Sequence, residues 1–399
     1  MALLSFSNEI RDVPNGKEEA NISVWDREKD NYEHLDRTTT WNFQQGARLQ
    51  WMPSQADKLI YNVSDGRQAR ARLLDVNTGK SQDFDIAISA VSPSGKRALA
   101  PSFARLGAIW CAYGYQGVRG ASIDDVAPTN DGIWEIDLES GHTKLLLSIS
   151  ELDDIAKRAA PKESFRFVTH PSYSPSGNRV IFLERYFIPG GALYTRMYVG
   201  QPDKRDWSLI LEEMVSHFDW YDDDTILVWS RHAPRGLKHS REDGLLASRS
   251  VRALLSVVRP LLMPITKSVF REYYAYVSVS HPQQIEPFAV DLLKSDGHPM
   301  FRPDRKWLVT DSYPDKRGRQ HLYLVDMESQ VVFEIGQFDA DTTLPSDIKC
   351  DLHPRWNRSG TKIAIDTAIN GDRQVMIVDV EHLVRTKRSG QSPAASRAT

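Results

Sequence analysis

Short runs of continuous or alternating apolar residues recur along the chain, each bounded by a cluster of Pro, Ser, Gly and Asp. Runs such as Lys58-Leu59-Ile60-Tyr61-Asn62, Arg179-Val180-Ile181-Phe182-Leu183, Trp307-Leu308-Val309-Thr310-Asp311 and Lys362-Ile363-Ala364-Ile365-Asp366 are rich in β-branched and aromatic residues. At that length, between such boundaries, they predict strands rather than helices. The boundaries repeat as well. An aromatic or apolar residue followed by Ser-Pro-Ser-Gly, or a decayed form of it, occurs at Val91-Ser92-Pro93-Ser94-Gly95, Tyr173-Ser174-Pro175-Ser176-Gly177, Phe301-Arg302-Pro303-Asp304 and Trp356-Asn357-Arg358-Ser359-Gly360. Weaker copies stand at Trp51-Met52-Pro53-Ser54 and Trp220-Tyr221-Asp222-Asp223-Asp224. Pro presets φ at the start of a turn and Gly or Asp tolerates positive φ at its end, so each phrase predicts a hairpin between two strands. A third strand ending in Asp and a turn comes next, as in Leu73-Leu74-Asp75-Val76-Asn77-Thr78-Gly79.

Four antiparallel strands repeating every ~40–50 residues predict an all-β fold, a β-propeller whose innermost strands line a central channel. Six full blades are expected, with first strands beginning near residues 46, 86, 167, 215, 296 and 351. Ahead of them, 3–9, 21–27 and 32–38 read as the second, third and fourth strands of a blade whose first strand is absent. The expectation is therefore one seven-bladed β-propeller domain over 1–384, its first blade incomplete, followed by a disordered tail at 385–399. The missing strand would come from the C-terminus or from upstream of Met1, and the polar tail favours the second source.

The segment 234–272 breaks the pattern. It mixes Arg249, Arg252, Arg259, Lys267 and Arg271 with Leu254, Leu255, Val257, Val258, Leu261, Leu262, Ile265 and Val269 and is expected to be helical. It would cover the channel mouth, pack on a blade edge, or make a peripheral membrane contact through 249–271. Pro260 and Pro264 interrupt a long amphipathic face and disfavour the membrane reading.

Composition adds exclusions. Of 399 residues, 50 are Lys or Arg and 53 Asp or Glu, a net charge of -3 that offers no global field for nucleic acid. Cys111 and Cys350 are too few for a disulfide framework, and no apolar run reaches the roughly 18 residues that span a bilayer. With no leader-like N-terminus the sequence reads as cytoplasmic, although an upstream start would hide a signal peptide. Gly-x-Ser-x-Gly elbows, phosphate loops and Cys-x-x-Cys pairs are missing, which disfavours serine-triad and nucleotide chemistry.

Candidate chemistry comes from an address. Four of the eleven histidines, His170, His217, His298 and His353, each stand three residues before the aromatic that opens a hairpin phrase. Propeller symmetry carries that address to one end of the channel wall, so the four should converge. Neutral imidazoles suit a divalent transition ion, and Asp351, two residues before His353, shares its strand face. The alternative is that each His caps its blade by hydrogen bonding to neighbouring strands. Arg196, in the third strand of the His170 blade, and Arg105, at the end of a second strand, are candidate carboxylate clamps or inter-blade ion pairs. Gln45, Arg48, Tyr113 and Trp51 are candidate sugar-facing groups.

At His170-Pro171, Arg196-Met197, His217, His298 and Asp351-Leu352-His353-Pro354 the chain resembles the oligogalacturonate lyase family and its TolB-like propeller relatives, over about 44–380. That family carries a His-Pro before an aromatic, an Arg-Met pair, a further His, a metal-binding His and a closing His-Pro-His-Pro. Here Asp351 stands where the family has a second closing His, and no Gln matches its further metal ligand. The resemblance implies manganese held by His298, His353 and Asp351, and β-elimination on an acidic, uronate-containing oligosaccharide or polysaccharide. It leaves His217 or Arg196 open as the base. Since Arg is always charged, His217 is assigned as base and Arg196 to carboxylate recognition, with His170 positioning substrate or protonating the leaving oxygen. A glycoside hydrolase on the same scaffold, and a non-catalytic propeller binding carbohydrate or protein in exopolysaccharide metabolism, are the other readings.

Overall fold

The computed structural model describes residues 1–7, 10–120, 123–188, 191–232 and 271–385. Its strands form the seven antiparallel blades expected. Blade 1 has three strands, Ala2–Ser5, Ala20–Asp26 and Asn31–Thr38. Blade 2 is Gln50–Trp51, Lys58–Ser64, Ala69–Asp75 and Ser81–Phe84, and blade 3 is Ala90–Val91, Arg97–Ala100, Gly132–Asp137 and Thr143–Ser148. Blade 4 runs Phe167–Tyr173, Val180–Phe187, Leu193–Gly200 and Ser208–Glu213, and blade 5 runs Val215–Trp220, Thr225–His232, Arg271–Ser278 and Ile285–Pro287. Blade 6 is Met300–Phe301, Trp307–Asp311, Arg319–Asp326 and Val331–Asp339. Blade 7 again has three strands, Arg355–Trp356, Lys362–Thr367 and Gln374–Asp379.

The repeated phrases behave as their chemistry requires. Ser174 N–H bonds the Arg179 carbonyl at 2.9 Å across the hairpin while Gly177 takes a φ of +78°, where a side chain is strained. Where an Asp closes the third strand, as in blades 2, 3 and 6, its side chain organises the following turn. Asp137 Oδ1 accepts from the N–H groups of Glu139 (3.0 Å) and Ser140 (2.7 Å).

Apolar residues fill the seams between blades rather than a single central core. Met52, Ile60 and Phe84 of blade 2 pack with Ala98, Ile136 and Leu138 around blade 3, and Ile181, Met197 and Val199 of blade 4 pack with Trp220, Ile226 and Val277 of blade 5. Where blade 1 lacks an inner strand, the hairpin of blade 7 reaches past it: Arg358 donates to the Met52 carbonyl of blade 2 at 2.7 Å. The inner ring of hairpins thus closes directly from the seventh blade to the second.

Four expectations are corrected. Blade 7 has three strands among the described residues, not the four of a full blade. Residues 103–109 form a helix, Phe103–Ile109, capped by Ser102 accepting from Arg105 N–H, so Arg105 is helical and does not end a strand. Arg271 and Glu272 open the third strand of blade 5, paired with His232 and Arg231, rather than ending a helix; the rest of 234–272 lies outside the described residues. The ordered chain continues through a short helix, Glu381–Arg385, whose Val384 is buried, so residue 385 belongs to the fold; 386–399 lie outside the described residues.

The seam between blades 3 and 4 carries a buried ionic network. Glu184 accepts from Arg166 Nε (2.5 Å) and Tyr198 Oη (2.9 Å), Arg166 also binds Asp153 (2.9 Å), and Arg196 lies 3.7 Å from Glu184. Removing one member of a buried set leaves the others uncompensated. Glu184→Ala should therefore lower the unfolding free energy by about 3–5 kcal/mol in chemical denaturation, and Glu184→Gln by less. A loss below about 1 kcal/mol for the alanine variant would contradict the network's structural role.

Candidate metal centre and cavity

The four histidines reach one place because the first strands are irregular where they begin. The ladder slips between Thr169 and Ser172 in blade 4 and between Val215 and Phe218 in blade 5, and His170 and His217 lie in those slips. Such bulges turn a side chain out of the sheet. His170 and His353 also adopt φ of +51° and +42°, although each precedes a proline that favours extended backbone. Arg48 occupies the same address in blade 2, three residues before Trp51, with φ +54°. Left-handed backbone at non-glycine residues is held only by its surroundings, and here it recurs around one channel mouth.

The expected convergence is observed. Ring centroids lie 6.5 Å apart for His170 and His217, 4.2 Å for His217 and His298, and 4.0 Å for His298 and His353. Each of the last three rings has an orienting partner. His217 Nδ1 donates to Asp296 at 3.1 Å, His298 Nδ1 to Asp311 at 2.9 Å, and His353 Nδ1 to the Asp351 carbonyl at 3.2 Å. Gln45 Nε2 stands 3.4 Å from His170 Nε2, and His170 Nδ1 is buried without a hydrogen-bond partner. Burial first, and neighbouring cations second, hold His170, His298 and His353 well below the ordinary imidazole range, so these rings are neutral.

Ligand atoms of His298, His353 and Asp351 all lie within 4.8 Å of one another. With both Nδ1 atoms committed, the Nε2 atoms of the two rings are the available ligands. Two neutral imidazoles and a carboxylate form a donor set suited to a divalent transition ion. Asp311 stands as a carboxylate behind the candidate ligand His298, and it also accepts the backbone N–H groups of His298 (2.6 Å) and His353 (3.2 Å). The approach requires Gly297, because a Cβ there would lie 1.9 Å from the Asp311 carbonyl oxygen. Burial pushes both Asp311 and Asp351 upward in pKa, a cost that a bound cation would relieve. Asp351 instead faces Lys349 Nζ at 3.3 Å and Gln320 Nε2 at 3.4 Å.

His217 and Lys349 lead from this cluster into a cavity of about 340 Å³ lined also by Trp110, Tyr113, Arg185, Thr195, Tyr313 and Asp347. Arg185 carries no mark in the sequence pattern, yet it is the guanidinium of this cavity. It pairs across the sheet with Thr195, while Glu184 pairs with Arg196. Because side chains alternate between faces, Arg185 and Thr195 face the cavity and Arg196 is turned into the buried network between blades 3 and 4. Arg185 lies over the Trp110 ring, 5.6 Å from its centroid, bonds the Val215 carbonyl at 3.5 Å, and leaves its buried Nε without a hydrogen bond.

The remaining expected residues divide. Tyr113 stands 5.5 Å from the His170 ring, its hydroxyl pushed up to about 12 by burial, and with Gln45 belongs to the site. Arg48 is near His170, but its guanidinium donates to the Ser89 carbonyl at 2.9 and 2.5 Å, bracing blade 3. Arg105 is likewise structural, bonding the Arg166 and Val126 carbonyls at 2.5 and 2.9 Å and stacking over Phe165. Trp51 packs in the seam of blades 1 and 2. Position therefore does not support carboxylate recognition by Arg196 or Arg105, or a sugar-facing Trp51, while Arg196 takes the alternative role of an inter-blade ion pair.

No family model and no curated protein matches this chain. Among solved structures, it is similar to an oligogalacturonate lyase from Vibrio parahaemolyticus, 10% identical, with a TM-score of 0.52 over 90% of this chain and 82% of that one. An oligogalacturonate lyase in complex with manganese (11% identical, TM-score 0.46, 96% and 97% covered) and TolB from Acinetobacter baumannii (10%, 0.45, 95% and 76%) also match. At about one residue in ten identical, the first likeness establishes the propeller fold of that lyase structure and nothing finer.

The two arginines should separate in stability. Arg196→Met breaks the buried network and should lower unfolding free energy by about 2–4 kcal/mol. Arg185→Met removes a buried charge with an unsatisfied nitrogen and should leave stability unchanged or raise it, which equilibrium denaturation reads directly. Acid behaviour tests the neutral rings. His170 titrates well below the ordinary imidazole value of 6.5 when folded, so the unfolded chain binds more protons beneath that pH. Stability should fall as pH drops through about 6.5, and His170→Gln should flatten that slope.

Proposed function

We propose that the protein is a metal-dependent lyase that cleaves a uronate-containing oligosaccharide or polysaccharide by β-elimination in this cavity. The observation that carries the reading is that the donor set of two neutral imidazoles, His298 and His353, and the Asp351 carboxylate adjoins a cavity lined by the carboxylate-oriented His217 and the Arg185 guanidinium. A divalent ion held by those three residues would supply Lewis acidity at the sugar carboxylate, and manganese is the ion that the family resemblance implies.

The chain's own groups account for the rest. Arg185, itself buried, offers a planar fork to the carboxylate, and such pairs strengthen where the charges are shielded from solvent. His217, its Nδ1 donating to Asp296, presents Nε2 as the acceptor of the C5 proton. As that bond breaks, the C4–C5 double bond forms, the C4–O4 bond breaks, and the departing O4 takes a proton from the Tyr113 hydroxyl or solvent. His170, held neutral, is better suited to positioning substrate than to donating a proton. Trp110, Tyr113 and Tyr313 provide apolar ring faces against which a pyranose can stack.

A second reading has its own support: the Lys349 ammonium already neutralises Asp351, as a propeller that only binds saccharide or protein would require. Elemental analysis of protein purified without chelator, beside a His298→Ala/His353→Ala double variant, separates them. Near-stoichiometric transition metal in the wild type and its loss in the variant are expected, followed by rising ultraviolet absorbance of an unsaturated product with oligogalacturonate. No metal in either protein, and none taken up with added manganese, would sink the lyase reading in favour of the binding propeller.

A further inference from the structure

We infer that Lys349 is a built-in competitor for the metal at Asp351, and that on metal binding its ammonium is released into the cavity, where it becomes a second contact for an anionic saccharide. This deepens the metal-dependent reading and rests on it. Asp351 is buried, and both its oxygens are engaged, Oδ2 by Lys349 Nζ at 3.3 Å and Oδ1 by Gln320 Nε2 at 3.4 Å. The ligand atoms of His298 and His353 lie within 4.8 Å of that carboxylate, so an ion shared among the three would stand in direct repulsion with the ammonium. In a buried site such repulsion is poorly screened, and one of the two cations must leave.

The main chain is not free to move Lys349 away. Gln44 Nε2 donates to the Lys349 carbonyl at 3.3 Å, Gln320 Nε2 to the Cys350 carbonyl at 3.2 Å, and Arg373 to the Ile348 carbonyl. Displacement therefore falls to the side chain, which is 35% exposed and lines the cavity. Its Nζ lies 4.0 Å from the centre of the Tyr313 ring, a seat it keeps while swinging from Asp351 toward the cavity. Arg185 lines the same cavity, so loading the metal would add, besides the ion itself, an ammonium no longer neutralised by Asp351 to the guanidinium already facing a bound anion. Metal and anion would then favour each other's binding, and by linkage the effect is reciprocal.

The test is calorimetric titration of manganese(II) chloride and of D-galacturonate, a monosaccharide with no O4 glycosidic bond to cleave, so the readout is binding alone. Lys349→Met, with Lys349→Gln as a second neutral variant, should bind manganese about tenfold or more tightly than wild type, and Lys349→Arg no more tightly than wild type. Manganese should raise wild-type affinity for galacturonate by about fivefold or more, and by clearly less in the neutral variants. If wild type binds manganese but neither neutral variant binds it more tightly, the competition is overturned while the metal reading survives. If the galacturonate enhancement is the same in all, the released ammonium is overturned. If none of the proteins binds manganese, the metal reading fails first and this inference with it.

Discussion

Three imidazole rings in a row, His217, His298 and His353, with centroids 4.2 and 4.0 Å apart, set the terms for the rest of the site. At that spacing the rings can present defined donors and acceptors only if their tautomers are fixed, and burial keeps His298 and His353 neutral. The surroundings supply both. Asp296, Asp311 and the Asp351 carbonyl each take one Nδ1–H, which fixes the opposite nitrogen as an acceptor. Asp311 binds two backbone N–H groups as well as the ring, tying blades 6 and 7 together at the point where the donor set forms.

Holding this arrangement requires a scaffold that resists relaxation. His170 and His353 sit in left-handed backbone before prolines, a conformation that persists only where neighbouring contacts over-determine it. The apolar seams between successive blades from 4 to 7 provide those contacts, and Arg358, bridging to Met52, closes the inner ring where blade 1 has no first strand. Strain at the mouth is thus tolerated because the opposite end of the blades is pinned.

The fold is legible in the sequence because six blades repeat one local device, a Ser-Pro-Ser-Gly hairpin or a decayed form of it, and repetition makes weak turn signals add up. The shared address of the four histidines is legible for the same reason. What local pattern cannot convey is which face of a strand meets which neighbour. Arg196 stands out through its Arg-Met pairing, but one-residue alternation turns it into the seam of blades 3 and 4 and leaves the cavity to Arg185, whose ladder partner Thr195 is one residue before Arg196. Helix Phe103–Ile109 escapes the pattern because its cap, Ser102, comes shortly after a strand, with no acidic residue to mark a first turn. The three-stranded blade 7 escapes it because the phrase that announces a blade says nothing about its outer strand.

Charge placement in the cavity depends on the same separation of faces. Arg166 and Arg196 are met by Glu184 and Asp153 and are consumed in stabilising a seam. Arg185, one position further along the same strand as Glu184, meets a carbonyl and an aromatic face instead, so its charge is left to act on whatever enters. Lys349 lies between these cases, bound to a carboxylate yet partly exposed and resting on Tyr313. A cation shared between a buried carboxylate and a cavity is the kind of element that a second cation can displace, and the chain places it two residues from Asp351. The negative charge that Lys349 satisfies and the positive charge it would release belong to one site, which is why metal affinity and anion affinity there are bound to be read together.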